Sequence, residues 1–212
     1  RRHTRYISVT GVQTCALPIL AAVLLDADAR GSASSAGFLR DPLLQFTGVL
    51  RALNGHTDGA PLGWWWGETL RQHVFMPPSV FNFYPPDYPV SGTTLVGPQF
   101  GIHNANTALE RLNYLTYLLD WGGSTPEADI PNAIGTQVDL APFEATADNA
   151  GALVDNLSLI ALGHTLAATP RAKVVAAVQW WTAQTSPTDW RHERVATAAY
   201  LVFASPDYQV QH

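Results

Sequence analysis

The chain is poor in several residue types that whole classes of protein depend on. Its 212 residues include one cysteine (Cys15), one methionine (Met76) and one lysine (Lys173), and only 14% of them are charged. A single cysteine cannot close a disulfide within the chain, and it excludes thiolate-rich metal centres. Lys and Arg number 12 against 17 Asp and Glu. That acidic balance excludes nucleic acid as a partner class, because a phosphate backbone calls for a basic stripe. Although 47% of the residues are hydrophobic, no run approaches the roughly 18 apolar residues that a membrane-spanning helix needs. Familiar catalytic signatures are missing too. There is no HExxH, no GxSxG and no glycine-rich turn after a strand, which removes the standard zinc hydrolase, serine hydrolase and dinucleotide-binding readings.

The opening stretch, Arg1 to Ile19, fits no structural pattern. Gly11, Gln13 and Pro18 break any apolar core of a secretory signal. A common short-read sequencing primer, translated in frame, reads VTGVQTCALPI letter for letter, which is Val9 to Ile19. Residues 1–19 are therefore read as a non-native, adapter-derived segment. Residues 20–212 are read as the C-terminal part of one larger helical domain, with the remainder upstream. Setting the segment aside removes Cys15, Arg1, Arg2 and Arg5 and deepens the acidic balance.

What remains is dominated by helical periodicity. LAAVLLDADAR predicts a helix that Gly31 and the run SASSAG end. RDPLLQFTGVLRALNG predicts one with Asp41 as N-cap, Pro42 at its first position, a face of Leu43, Phe46, Leu50 and Leu53, and a stop at Asn54-Gly55. In TALERLNYLTYLLDWGG, Thr107 and Glu110 have capping-box spacing and Ala108, Leu112, Leu115 and Leu119 form a stripe. A polar loop from about Ser124 to Asn149 precedes three more helices. The first carries Leu153, Leu157 and Ile160. The second has Thr169 as cap with Val174, Val178 and Trp181 inward, and the third has Val195, Ala198, Ala199 and Val202 before Ser205-Pro206 ends it. No period-two strand stands out. The fold class is all-α, an irregular multi-helix domain with a long proline- and aromatic-rich ordered loop.

That loop, RQHVFMPPSVFNFYPPDYPVSGTTLVGPQFGIHNAN, is where a site is expected. Its prolines prevent a helix, yet its Phe and Tyr content sets it apart from a disordered linker, so it should pack onto the rest of the protein. Asn82, Tyr84, Asp87, His103, Asn104 and Asn106 are the candidate binding residues, because amides and hydroxyls here can hold the loop's backbone or meet a ligand. Structural use of the asparagines is favoured, with Asn106 as a turn former ahead of Thr107. His73, His103, Asp87 and Glu110 lack metal-ligand spacing, so no metal is expected, and no cofactor. Ser79 and Ser91 lack the elbow that a nucleophilic serine uses. The other unusual feature is Trp64, Trp65 and Trp66. Three consecutive helical residues span about 200 degrees, so these indoles cannot all face one core. The exposed ones are candidates to stack on sugar rings or anchor a partner, unless the upstream part covers them.

The segments MPPSVFNFYPPDYP, LVGPQFGIHNANTALERLNYL and RVATAAYLVFASPDYQVQ resemble the bacterial DUF1800 family along the whole of residues 20–212. The resemblance implies a mainly helical, exported protein. It also implies a possible partner encoded nearby, of the DUF1501 family, which is similar to sulfatases and alkaline phosphatases. It brings no reaction and no catalytic residues. The functional expectation is a binding or assembly module acting with an envelope or secreted partner. The alternatives are an enzyme with its site on the 76–106 loop and glycan binding through Trp64 to Trp66.

Overall fold

The computed structural model describes residues 17–26 and 37–211. The chain divides into two units, residues 1–37 with residue 212, and residues 38–211. In the first, α1 is helical over 17–25 and its apolar side chains, Leu17 to Leu25, are exposed. The expected helix stop at Gly31 lies outside the described residues, as does most of the adapter-like segment.

The second unit is all-α apart from two very short sheets. After β1 (Phe38–Leu39) comes α2 (Pro42–Ala52). It starts as expected: the Asp41 carboxylate accepts the Leu44 N–H at 2.8 Å, and Pro42 fills the first turn, where its missing N–H costs nothing. Phe46, Val49, Leu50 and Leu53 are buried. Asn54, in the left-handed region at φ 51°, turns the chain toward β2 (His56–Thr57) and the short helices α3 (Ala60–Gly63) and α4 (Trp65–Thr69). The proline-rich loop follows, ending in a 3-10 turn (Pro98–Ile102) ahead of α5 (Ala105–Leu119).

Helix α5 corrects two expectations. Its cap is Asn104, not Thr107: Asn104 Oδ1 accepts the Thr107 N–H at 3.0 Å while Thr107 Oγ1 accepts the Asn104 N–H at 2.9 Å. Asn106 thus lies in the first helical turn and is no turn former. The buried stripe is Thr107, Arg111, Tyr114, Leu115, Leu118 and Leu119, with Ala108 and Leu112 only half-buried. The polar heads of Thr107 and Arg111 explain the shift, because they find partners inside. Thr107 Oγ1 donates to the Ile102 carbonyl at 2.9 Å, and Arg111 donates to the Arg40 carbonyl at 2.8 Å. The Tyr114 ring stacks on Phe46 with centroids 3.5 Å apart.

The polar stretch after α5 is more ordered than its composition suggests. It holds β3 (Thr136–Gln137), antiparallel to β2 with Thr57 opposite Thr136, and α6 (Ala141–Glu144). Then α7 (Ala150–Leu162) begins on Asn149, whose side chain accepts the Ala152 N–H at 3.0 Å, and ends on Gly163 at φ 78°. It buries Leu153, Val154, Leu157 and Ser158. Ile160 is exposed instead, because Ser158 satisfies its hydroxyl on the Val154 carbonyl and can take a core position. In α8 (Ala168–Gln179) the cap position is Ala167, so Thr169 is helical. Val178 is buried and Val174 packs at the core edge, while Trp181 lies past the helix end and donates to Thr197 Oγ1 at 2.8 Å. Helix α9 (Trp190–Phe203) buries Val195, Ala198, Ala199 and Val202 as read from the sequence. Its small alanines let α7 and α8 pack closely against it. Ser205 caps α10 (Pro206–Gln209), which leads into β4 (Val210–Gln211), antiparallel to β1 with Leu39 opposite Val210.

A tryptophan cleft beside helix α5

The three consecutive tryptophans are separated by the break between α3 and α4, where Trp64 has φ −135° and ψ −106°. Trp66 turns into the core at 5% exposure, while Trp64 is 78% and Trp65 65% exposed. The Trp66 ring meets Tyr114 edge-on with centroids 5.6 Å apart and Tyr117 at 5.5 Å. Gly67 makes this junction possible: a Cβ there would lie 2.0 Å from the Leu62 carbonyl oxygen. The expectation that not all three indoles share a core therefore holds, and the break sharpens it.

Trp64 and Trp65 form one wall of an open cleft of about 870 Å³, a volume typical of small-molecule sites. The exposed side of α5 supplies Glu110, Asn113 and Tyr117, and the chain just beyond it supplies Trp121, Ser124, Thr125 and Glu127. Trp121 is 69% exposed. Its position is set by Gly122 and Gly123 at φ 76° and 72°, where a side chain at residue 123 would strike the Thr136 carbonyl.

The polar groups of the cleft divide into fixed and available ones. Asp58 is fixed, since its carboxylate accepts from the N–H groups of Ala60, Ile134 and Gly135 at 3.0, 3.2 and 2.9 Å. Those bonds, Ala60 foremost, hold its carboxyl below the usual carboxylate range. The Asn113 amide donates to Glu110 Oε2 at 3.2 Å, which orients both for a ligand. Burial pushes the Tyr117 phenol up, so it remains a protonated donor at neutral pH. No Lys, Arg or His lines this cleft among the described residues. The arrangement offers indole faces to a flat apolar surface and carboxylate and amide oxygens to hydroxyl groups.

The other sequence candidates lie elsewhere and form no such cleft. Tyr84 donates to Asp41 Oδ2 at 3.1 Å, and burial followed by the Asp41 charge pushes its phenol up to about 12. His103 is half-buried near Arg111, and burial, then that cation, lowers its imidazole. Asn104 serves as the α5 cap. Asn82 sits at φ 70° in a tight turn closed by its N–H on the Ser79 carbonyl. Asn82, Asp87 and Asn106 are exposed. The loop is only partly packed: Tyr84 anchors it, but Phe75 and Val80 are 96% and 94% exposed. His73 bonds the Gly63 carbonyl. Among the described residues no group of three or more His, Cys, Asp or Glu is placed to hold a metal ion.

Sequence reasoning thus found Trp64 and Trp65 but missed Trp121, Tyr117, Asn113 and Glu127. A tryptophan immediately outside a helix and ahead of two glycines was the available signal. None of the described helices is long and apolar enough to cross a membrane. No curated protein and no solved structure matches the chain. A family model described as "Protein of unknown function (DUF1800)" matches residues 15–210, starting within the adapter-like segment and reaching the first residue of β4. With nearly the whole sequence covered, and with FNFY and all but the last residue of SPDYQVQ inside the match, the chain belongs to the DUF1800 family.

Proposed function

We propose that this protein is a non-catalytic exported binding module that takes a carbohydrate of the cell envelope in the tryptophan cleft. The observation that carries the reading is the convergence of three exposed indoles, Trp64, Trp65 and Trp121, on one cleft beside Glu110 and Asn113. Scattered exposed hydrophobics need no explanation, but a cluster framed by polar groups does. Among the described residues no other ring covers these three indoles. Their faces remain available to a sugar ring, with the Glu110 and Asn113 oxygens set to accept its hydroxyls. Export, and association with a DUF1501-family protein encoded nearby, belong to the same proposal and rest on the family resemblance alone.

The test is calorimetric and fluorimetric titration of the protein with soluble oligosaccharides cut from bacterial cell wall. Binding should alter tryptophan emission. Trp121→Ala should weaken it at least tenfold while leaving the melting temperature unchanged, since an exposed indole contributes little to the fold. Absence of heat and of any emission change across wall glycans would reject the reading.

A further inference from the structure

We infer that the tryptophan cleft is one half of a longer groove, and that its ligand is a linear glycan in which a neutral sugar adjoins one bearing a carboxylate held by Arg71. The inference rests on the carbohydrate reading above. A second cleft, of about 590 Å³, shares Trp64 with the first and is lined further by Glu68, Arg71, His73, Met76 and Phe83. An indole that stands 78% exposed between two clefts is a ridge, and both of its faces are offered. A compact ligand would use one side, whereas a chain can lie across it.

The chemistry changes across that ridge. The first cleft has Asp58, Glu110 and Glu127 and no basic side chain, which suits a neutral hydroxylated ring and disfavours an anion. The second has Arg71, an exposed guanidinium with no ion pair among the described residues. Arg71 is held in the left-handed region at φ 59°, its N–H on the Glu68 carbonyl at 3.0 Å. It stands just past Leu70, the C-cap of α4, in the left-handed position that commonly ends a helix. Guanidinium is the group suited to planar, bidentate capture of a carboxylate. His73 is a positioning residue: its bond to the Gly63 carbonyl fixes the residue just before Trp64, and with it the ridge.

The experiment titrates the 212-residue chain with four probes: a disaccharide and a tetrasaccharide of N-acetylglucosamine, and the same two lengths in which alternate sugars carry a lactyl carboxylate. The tetrasaccharides should bind at least tenfold tighter than the disaccharides. The carboxylate-bearing tetrasaccharide should exceed the neutral one about fivefold at low salt. Arg71→Gln should erase that preference without changing neutral disaccharide binding, and Glu68→Gln should enlarge it. If disaccharides bind as tightly as tetrasaccharides and Arg71→Gln changes nothing, the groove is refuted while the carbohydrate site stands. If none of the probes binds, the carbohydrate reading fails and this inference falls with it.

Discussion

Arg111 offers the sharpest test of how this fold is held. It is 3% exposed, and its Nη1 faces the Arg40 carbonyl at 2.8 Å, Gln209 Oε1 at 3.1 Å and Gln45 Oε1 at 3.2 Å. One nitrogen joins the end of β1, α2 and α10. Burial pushes the guanidinium down to about 10, with Asp41 acting the other way, so it remains charged at neutral pH. Nη1 has two hydrogens for three oxygens, so two full charge-assisted bonds are the proper count. At about 1.5–3 kcal/mol each, Arg111→Ala should cost roughly 3–6 kcal/mol. For a chain of this length that is a fall of roughly 6–24 °C in Tm. Arg111→Lys should recover only part, because an ammonium on a flexible stem cannot hold the same fork. Combining Arg111→Met with Gln45→Leu and Gln209→Leu should also recover part of the loss, because two of the three stranded acceptors are then removed and only the Arg40 carbonyl is left without Arg111. Urea unfolding with the m-value monitored separates a stability change from a change in the denatured state. A loss under about 1 kcal/mol for Arg111→Ala, a value ordinary for an exposed ion pair, would refute the account.

Three further outcomes are expected. Gly67→Ala should destabilise by about 1–3 kcal/mol through overpacking against the Leu62 carbonyl, and its altered near-ultraviolet circular dichroism should report displaced tryptophans. Asn104→Ala should cost about 1 kcal/mol by removing one half of the α5 capping box, read as a shift in the urea midpoint at unchanged m. His103 has its imidazole lowered by burial and by Arg111. The unfolded chain therefore binds a proton that the folded one resists, so this stability is present above about pH 6.5 and is lost as pH falls below it. His103→Gln should flatten the stability profile below about pH 6.5, and an unchanged slope would count against the assignment.

How far the sequence could be read depended on where each residue's partner lay. Helix α2 was legible because its signals are local: Asp41, Pro42 and the Asn54-Gly55 stop all lie within a few residues of what they control. Helix α9 was legible because its face is uniformly apolar. The α5 stripe was misplaced because Arg111 counts as a surface residue until its acceptors are known, and those stand 66 to 98 positions away. The cap was misplaced because both Asn104 and Thr107 are good caps, and only the backbone shows which is outside the helix. For the site, composition singled out the tryptophan run, but nothing local joins Trp64 to Trp121 or to the outer side of α5. The proline-rich loop contributes Met76 and Phe83 to the second cleft, while Asn82 and Asp87 stand exposed away from both clefts. Tyr84 fastens the loop to Asp41, and its most exposed apolar residues, Phe75 and Val80, face no described neighbour closely enough to be covered.

The pairing of β4 with β1 sets the order in which this unit can be completed. Phe38 and Leu39 wait for Gln211 and Val210. Tyr208, 1% exposed, reaches the Gln45 carbonyl at 3.2 Å across 163 residues. On a ribosome, α2 emerges with the preceding Arg40 N–H still lacking the Gln209 carbonyl and with the Tyr208 place against Gln45 empty, and both stay so until nearly all of the unit has been made. Contacts so distant in sequence slow folding and prolong the exposure of apolar surface. The last six residues, 206–211, therefore act as a latch. Deleting them should leave a chain that collapses around α7 and α9 but aggregates during synthesis, even though the tryptophan cleft is encoded in full.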